Sequence, residues 1–289
     1  MRIANVNGRA TIVSRGGGCD LATASSGRFS PVVDDAIRQV DAIAAWLSAR
    51  NPEFDVRLST DVLRTRLHEL GPPVTRPRQV FAIGVNYPSH SDEARLPLPD
   101  SPIVFTKFPS SITGPGATVR LPTLTTDWEV ELVAVVGRGG RRISEDQALV
   151  ALAGYCVGQD LTERVRQSAG KPPQWSLAKS FADFSPIGPW LTTLDELADP
   201  LDLAIRCHLN DETVQRARTS EMVFGVPQLI AYLSHVCELF PGDLIFTGTP
   251  DGIGAARTPP RFLEPGVVLR SEIEGLGWLN NACTEAICS

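Results

Sequence analysis

Two glutamates at alternate positions mark the stretch of the chain best suited to do chemistry. Glu129 and Glu131 lie in Asp-Trp-Glu-Val-Glu-Leu, residues 127–132, which runs into an apolar, β-branched segment that stops at Gly137. Such a segment is typical of a buried strand. Because side chains alternate along a strand, both carboxylates face the same way, about 6.5 Å apart. The pair therefore predicts either a bound cation that offsets two buried charges or the polar end of a strand at the surface.

A second set of polar residues follows in a segment expected to form another strand. The segment Tyr-Cys-Val-Gly-Gln-Asp-Leu, residues 155–161, carries a third carboxylate, Asp160. Arg164 and Gln167 come soon after it, and Lys179 stands farther along in Ala-Lys-Ser-Phe. Residue type alone assigns these side chains no role.

His90 and Glu93 are the candidates for proton transfer. They stand three positions apart in Asn-Tyr-Pro-Ser-His-Ser-Asp-Glu, residues 86–93, so on a short helix they share a face and can hydrogen-bond. A carboxylate that orients an imidazole makes it a competent general base near neutral pH. The alternative interpretation is an exposed polar turn with no catalytic role.

Composition narrows the class of protein. The formal net charge of -6 and the lack of a Lys/Arg-rich run argue against a nucleic-acid surface. No apolar run approaches the roughly 20 residues of a membrane span, and the first 13 residues lack the apolar core of a signal peptide. Six scattered cysteines without a C-x-x-C pair favour reduced thiols in a cytoplasmic protein over a disulfide framework. The sequence also lacks a G-x-S-x-G motif, which disfavours a covalent hydrolase.

Strand-like segments dominate the chain from residue 79 onward. Few helices separate them, which predicts an α+β fold, mainly β, rather than a doubly wound sheet. The one convincing linker is Gly-Pro-Pro-Val-Thr-Arg-Pro, residues 71–77. It divides a small N-terminal α+β domain, residues 1–75, from a larger domain, residues 76–289.

Five short segments, taken together, are far more specific than any one of them. In chain order they are Ile-Gly-Val-Asn-Tyr (83–87) with the His90 and Glu93 pair, Asp-Trp-Glu-Val-Glu-Leu (127–132), Gln159-Asp160, Lys-Ser-Phe (179–181) and Thr-Gly-Thr-Pro (247–250). In this order they resemble the fumarylacetoacetate hydrolase family, and the resemblance runs from about residue 79 to residue 281.

The resemblance implies a mixed β-sandwich roll that forms a homodimer. It also implies a bound Mg²⁺ or Mn²⁺, with Ca²⁺ in some members. By matching motif positions, Glu129, Glu131 and Asp160 are the implied metal ligands. Three oxygen donors suit such hard cations.

The same resemblance assigns roles to the other polar residues. His90 and Glu93 match the dyad on the family's mobile lid, and Lys179 matches its active-site lysine. The implied substrate-binding positions are Arg164, Gln167 and Thr249. Departures from the family pattern at Pro88, Ala182 and Val267 weaken the transfer of any one member's substrate.

The implied reaction is cleavage of a C–C bond in a 2-oxo or β-diketo acid. Such a hydrolase would act on an acylpyruvate-like or fumarylacetoacetate-like acid, with a metal-stabilised enolate and with His90 activating water. An oxaloacetate-type decarboxylase or a 2-hydroxyhepta-2,4-diene-1,7-dioate-type isomerase is the alternative on the same site. A non-catalytic, metal-binding dimeric protein is the alternative from another class.

Overall fold

Two β-sheets form most of the fold. The computed structural model describes residues 1–50, 52–94 and 97–285. Within these ranges the helices are short, and the two sheets have eleven and five strands. The predicted α+β fold, mainly β, is thus confirmed.

Eighteen strands and eight α-helices lie within the described residues. The first nine strands are β1 (Arg2–Val6), β2 (Arg9–Ser14), β3 (Gly17–Asp20), β4 (Leu70–Gly71), β5 (Val80–Gly84), β6 (Ile103–Thr106), β7 (Ile112–Thr113), β8 (Val119–Leu121) and β9 (Thr126–Asp127). The others are β10 (Val130–Val136), β11 (Leu152–Gln159), β12 (Thr162–Glu163), β13 (Ser185–Thr192), β14 (Ala204–Leu209), β15 (Glu212–Arg218), β16 (Leu244–Phe246), β17 (Val268–Ile273) and β18 (Gly277–Glu285). The helices are α1 (Leu21–Ala24), α2 (Val33–Arg38), α3 (Val40–Arg50), α4 (Thr60–Leu63), α5 (Pro88–Ala94), α6 (Glu145–Ala148), α7 (Arg164–Ser168) and α8 (Val226–Val236).

The large sheet has β10 and β11 near its centre. Its strand order is β3-β2-β1-β13-β11-β10-β16-β5-β6, with β4 beside β1 and β7 beside β13. The second sheet has the order β15-β14-β17-β18-β8, and β9 pairs with β12 apart from both sheets. The large sheet is mixed, because β16 runs parallel to β5 and antiparallel to β10.

Strand β10 is buried along its whole length and packs on both faces. Leu132 and Ala134 belong to the apolar core that the large sheet shares with strands of the second sheet. Val133 and Val135 belong to a core on the opposite face, which includes residues of α2 and α3. Since side chains alternate, Glu131 lies on the face of Val133, at the beginning of the strand.

The N-terminal segment extends the large sheet. Strand β1 pairs antiparallel with β13, with Ile3 opposite Leu191. Ile37 of α2 and Ile43 of α3 share a core with Val133 of β10. The division into domains near residue 75 stays a prediction, and a continuous strand ladder joins its two parts.

None of the helices within the described ranges is both long and apolar enough to cross a membrane. The five cysteines in those ranges are free thiols, and most of them are buried. Burial raises the pKa of Cys156 to about 12 and that of Cys283 to about 12. Thiols with a raised pKa are poor nucleophiles, so these two cysteines serve as small core residues.

Candidate active site

Three carboxylates meet where β10 begins and β11 ends. The two strands are antiparallel, with Val130 opposite Gln159, so Asp160 lies beside Glu129. The Asp160 N–H donates to the Glu129 carbonyl at 2.9 Å, which fixes this pairing. One oxygen from each of Glu129, Glu131 and Asp160 lies within 4.8 Å of the other two, and all three residues are buried. These three residues are called the acidic triad below.

Two cations hold Glu129 and Asp160 in the acidic triad. The Lys179 ammonium donates to Glu129 Oε2 at 2.7 Å, to Asp160 Oδ2 at 2.7 Å and to Thr162 Oγ1 at 2.8 Å. Arg164 lies 2.7 Å from Glu129 Oε1. Burial alone would raise the pKa of Glu129, but Lys179 and Arg164 outweigh it and lower this pKa to about 2.

The carboxyl group of Glu131 lacks the close cationic partners that Glu129 and Asp160 have among the described residues. It accepts a hydrogen bond from the Gly248 N–H at 2.8 Å. Burial, and then the charges of Asp160 and Glu129, raise the pKa of Glu131 well above its ordinary value. A divalent cation bound between these oxygens would remove that repulsion. The donors are three hard oxygen atoms, so the acidic triad fits Mg²⁺, Mn²⁺ or Ca²⁺.

Lys107 is a second buried lysine at this centre, and sequence reasoning missed it. It directly follows β6 and is fully enclosed. Its ammonium donates to Asp160 Oδ1 and to the Lys179 carbonyl, and it lies 3.4 Å from the Phe184 carbonyl. Burial lowers the pKa of Lys107, which the Asp160 charge opposes. Lys107 thus fixes Asp160 on the side away from Lys179.

The predicted pair His90 and Glu93 forms on helix α5. His90 Nδ1 lies 3.3 Å from Glu93 Oε1. Glu93 also accepts hydrogen bonds from the N–H groups of Gly252, at 2.9 Å, and Ile253, at 3.3 Å. His90 is only 9% exposed, so the alternative of an exposed polar turn does not describe it.

Of the predicted substrate-binding residues, Arg164 and Gln167 line the cavity, whereas Thr249 lines it and also holds the backbone of a neighbouring strand. Arg164 Nη1 donates to Gln167 Oε1 at 3.0 Å, and both side chains line a cavity beside the acidic triad. Arg164 Nη2 is buried and has no hydrogen-bond partner among the described residues. Thr249 also lines the cavity, but its hydroxyl donates to the Val130 carbonyl at 2.9 Å and accepts from Gln215 at 2.9 Å. Thr249 therefore fastens the glycine loop after β16 to β10.

A single cavity of about 600 Å³ contains these groups. Glu129, Glu131, His90, Glu93 and Lys179 all line it. Residues that sequence reasoning did not select contribute as well; the largest are Phe105, Trp175 and Arg257. Phe105 and Trp175 pack edge to face, with ring centroids 5.5 Å apart, and form an apolar wall. A cavity with one apolar wall and a charged centre is suited to a small organic acid.

The sequence motifs and the fold are matched by a known family. A family model for the C-terminal part of fumarylacetoacetate (FAA) hydrolase matches residues 79–284. This chain belongs to the fumarylacetoacetate hydrolase family. The predicted resemblance is thereby confirmed, and the matched range contains the acidic triad, the His90–Glu93 pair and Lys179.

Relatives within the fumarylacetoacetate hydrolase family carry several different names. Human oxaloacetate tautomerase FAHD2A, mitochondrial, is 45% identical over 211 residues, which are 72% of this chain and 67% of that protein. This chain thus spans about two thirds of the length of that relative. A crystal structure from Mycobacterium smegmatis, provisionally named HpcE, has a TM-score of 0.92 at 50% identity and covers 99% of this chain and 100% of its own. Maleylpyruvate hydrolase from Sphingobium sp. SYK-6, in complex with manganese (II) ion and pyruvate, has a TM-score of 0.80 at 25% identity, with 99% and 100% covered.

Proposed function

We propose that this chain is a divalent-metal-dependent tautomerase, which moves a proton between carbon and oxygen at the carbonyl of a 2-oxo acid such as oxaloacetate. The observation that carries the proposal is one cavity that is lined both by Glu129 and Glu131 of the acidic triad and by the His90–Glu93 pair. Relatives at 44–45% identity are named oxaloacetate tautomerases, which supports this choice of reaction. The C–C bond hydrolysis expected from the sequence becomes the second candidate.

The acidic triad would hold the cation. Mg²⁺ or Mn²⁺ is the proposed ion, with Ca²⁺ as the alternative, and the manganese in the related maleylpyruvate hydrolase supports this choice. When bound, a divalent cation supplies electrophilic polarisation of the substrate carbonyl, which makes the neighbouring C–H group more acidic. Lys179 uses its three N–H donors on Glu129, Asp160 and Thr162, so we assign it to holding the acidic triad.

We assign the role of base to His90. It would take a proton from the carbon beside the carbonyl, so that the C–H electron pair forms a C=C bond and the C=O π pair moves onto oxygen, and it would then return the proton to that oxygen. Glu93 hydrogen-bonds the imidazole and orients it. Arg164 lines the cavity and would bring a positive charge close to the substrate carboxylate.

The test follows the interconversion of keto and enol oxaloacetate by ultraviolet absorbance, with Mg²⁺ or Mn²⁺ added. We expect Glu129→Ala to abolish the metal-dependent rate and His90→Gln to lower kcat by about 100-fold or more. Asp92→Asn is the matched control, because Asp92 is exposed on the same helix. Wild-type protein that binds the ion yet leaves the interconversion at its background rate would overturn the tautomerase assignment. That result would favour a non-catalytic, metal-binding protein.

Hydrolysis of a C–C bond is favoured by the related maleylpyruvate hydrolase. In this reaction the same His90–Glu93 pair would activate water to attack a second carbonyl of the substrate. Acetylpyruvate and fumarylacetoacetate, with products identified by NMR, separate the two candidates. Cleavage that is lost in His90→Gln supports hydrolysis. Release of CO₂ from oxaloacetate that survives His90→Gln supports a decarboxylase instead.

The homodimer and the cytoplasmic location stay predictions. Strand β6 lies at one edge of the large sheet, where Ile103 and Val104 are each 38% exposed. An apolar edge strand is typical of a surface that pairs with another chain, so we propose β6 as part of the contact between protomers.

A further inference from the structure

Arg257 lines the cavity, and its positive charge has no close carboxylate partner among the described residues. Lys179 and Arg164, also in the wall, each lie 2.7 Å from a buried carboxylate oxygen. Among the described residues, the acid paired with Arg257 is Glu212, 3.9 Å from Nη1. Glu212 is itself exposed and already bound by Arg261 at 2.6 Å. Arg257 therefore brings a largely unmatched positive charge to the cavity.

Backbone carbonyls, rather than an acid, hold Arg257 in place. Its Nη2 atom donates to the carbonyls of Val214, at 3.2 Å, and Gly252, at 3.4 Å. Its guanidinium lies over the Trp128 ring, 5.7 Å from the centroid. Its Nε atom is buried and has no hydrogen-bond partner among the described residues. The Nη1 atom has no close acid within the described ranges, because Glu212 lies 3.9 Å from it, so Nη1 is the donor left to bind an anion.

Arg257 and the acidic triad belong to different parts of the cavity wall. The triad lies at the ends of β10 and β11, whereas Arg257 lies in the loop between β16 and β17. The Gly252 peptide connects Arg257 to the catalytic pair, because its carbonyl accepts from Arg257 and its N–H donates to Glu93. A substrate with its 2-oxo acid group at the triad and its reacting carbon at His90 shares one cavity with Arg257.

We propose that Arg257 binds a second carboxylate of the substrate, so that the enzyme selects dicarboxylic 2-oxo acids over monocarboxylic ones. The proposal rests on the proposed function for the 2-oxo acid end of the substrate and adds the group that recognises its other end. A guanidinium and a carboxylate form two parallel N–H···O hydrogen bonds, which neutral analogues cannot reproduce. The rival explanation is that Arg257 only fastens the glycine loop to β15.

The kinetic test compares oxaloacetate with its 4-methyl ester, which lacks the second charge. We expect Arg257→Gln to raise the KM for oxaloacetate by about tenfold more than it raises the KM for the ester, because only the diacid loses a charged partner. Arg257→Lys, which keeps the charge but loses the planar fork, is expected to fall between wild type and Arg257→Gln. Arg261→Gln is the matched control, because Arg261 binds the same Glu212 and does not line the cavity. Equal losses for acid and ester in both Arg257 variants would overturn the proposal and support the fastening role.

A binding test separates this proposal from the proposed reaction. Calorimetry on the Mn²⁺-loaded protein measures the affinity for 2-oxoglutarate and for its 5-methyl ester, and neither measurement requires turnover. Preference for the diacid that Arg257→Gln removes, and Arg261→Gln keeps, supports the carboxylate site even when oxaloacetate is not interconverted. Equal affinity of wild type for the two compounds overturns the site, even when the tautomerase activity is present.

Discussion

Glu131 and its surroundings make the charge balance of the site depend on pH. Burial, and then Asp160 and Glu129, raise the pKa of Glu131 well above the ordinary 4.5. An acid whose pKa is raised by folding weakens the fold as the pH rises above its unfolded pKa, because the unfolded chain then loses the proton more readily. The metal-free protein should therefore lose stability as the pH rises from about 4.5 towards the folded pKa of Glu131.

Replacing Glu131 tests this dependence. In the absence of metal, Glu131→Gln is expected to be more stable than wild type at pH 8 by about 1–2 kcal/mol, because a neutral amide avoids the cost that burial, Asp160 and Glu129 impose on an ionisable acid. The same variant is expected to lose most of its affinity for Mn²⁺. Urea unfolding at pH 5 and pH 8 and calorimetric titration measure the two effects, with Glu145→Gln as the exposed control. A variant that is no more stable than wild type at pH 8 would contradict the charge argument.

Lys107 offers a second test with a residue outside the predicted site. Lys107→Met keeps the length of the side chain but leaves one Asp160 oxygen and the Lys179 carbonyl without their buried partner. We expect a loss of about 3–5 kcal/mol in the free energy of unfolding, which is typical of breaking a buried ion pair. Urea denaturation measures it, and Lys171→Met, at an exposed lysine, is the control. Similar stabilities for the two variants would show that Lys107 is not needed to hold Asp160.

The chemistry-bearing residues could be predicted where local spacing or ordered motifs defined them. Strand alternation placed Glu129 and Glu131 on one face, and motif order selected Asp160. Lys107 could not be predicted, because a lysine that follows a short strand resembles a surface residue. Its burial depends on groups more than 50 positions away in the sequence, among them Asp160 and the Lys179 carbonyl. The orientation of Arg257 likewise depends on contacts between distant parts of the chain.

Among the secondary-structure elements, helix α5 carries both His90 and Glu93, the proposed catalytic pair. Glu93→Gln keeps the shape of the side chain but weakens its hydrogen bonds to Gly252 and Ile253 and its support of His90. We expect kcat to fall by about 10- to 100-fold with little change in the affinity for Mn²⁺. We also expect faster hydrogen exchange at the two amides. A lower kcat with unchanged exchange would mean that Glu93 acts on His90 alone.

The short helix expected from the spacing of His90 and Glu93 forms as α5. The apolar run after Glu131 likewise forms β10, since both patterns are local. The pairing of β10 with β11 and β16 is not local, because these strands are far apart in the sequence. Strands such as β10 and β11 can each be predicted from their residue types, but the strands that pair with them in the sheet cannot.

At the scale of the whole molecule, a deletion tests whether residues 76–289 can fold without the N-terminal segment. Deleting residues 1–75 removes β1 from β13 and uncovers Val133 and Leu191, which share a core with α2 and α3. We expect the shortened chain, residues 76–289, to lose cooperative unfolding and to aggregate, because a buried apolar face becomes exposed. Circular dichroism melts and size-exclusion chromatography measure this. A sharp melt of a soluble fragment would instead support an independently folding domain.

The linker at residues 71–77 could be recognised from its glycine and prolines. The ladder between β1 and β13 could not, because Ile3 and Leu191 are brought together only by the complete fold. Local composition thus indicates where a chain changes direction, and it carries no information on which distant strand will become a neighbour. For this reason the sequence indicates the linker but not the β1–β13 pairing, and the division into two domains stays a prediction.

The hydrogen bonds of Glu93 link the opening of the cavity to the position of His90, the proposed base. His90 and Glu93 both lie on α5, and Glu93 fastens that helix to the Gly252 and Ile253 amides. If α5 moves outward to admit a substrate, the base moves away together with the helix. In the proposed tautomerase, an open molecule would then be chemically idle, and an enol formed in the closed molecule would be sheltered from bulk water until the helix releases it. The rate at which these two amide hydrogen bonds break would then set an upper limit on the proposed turnover.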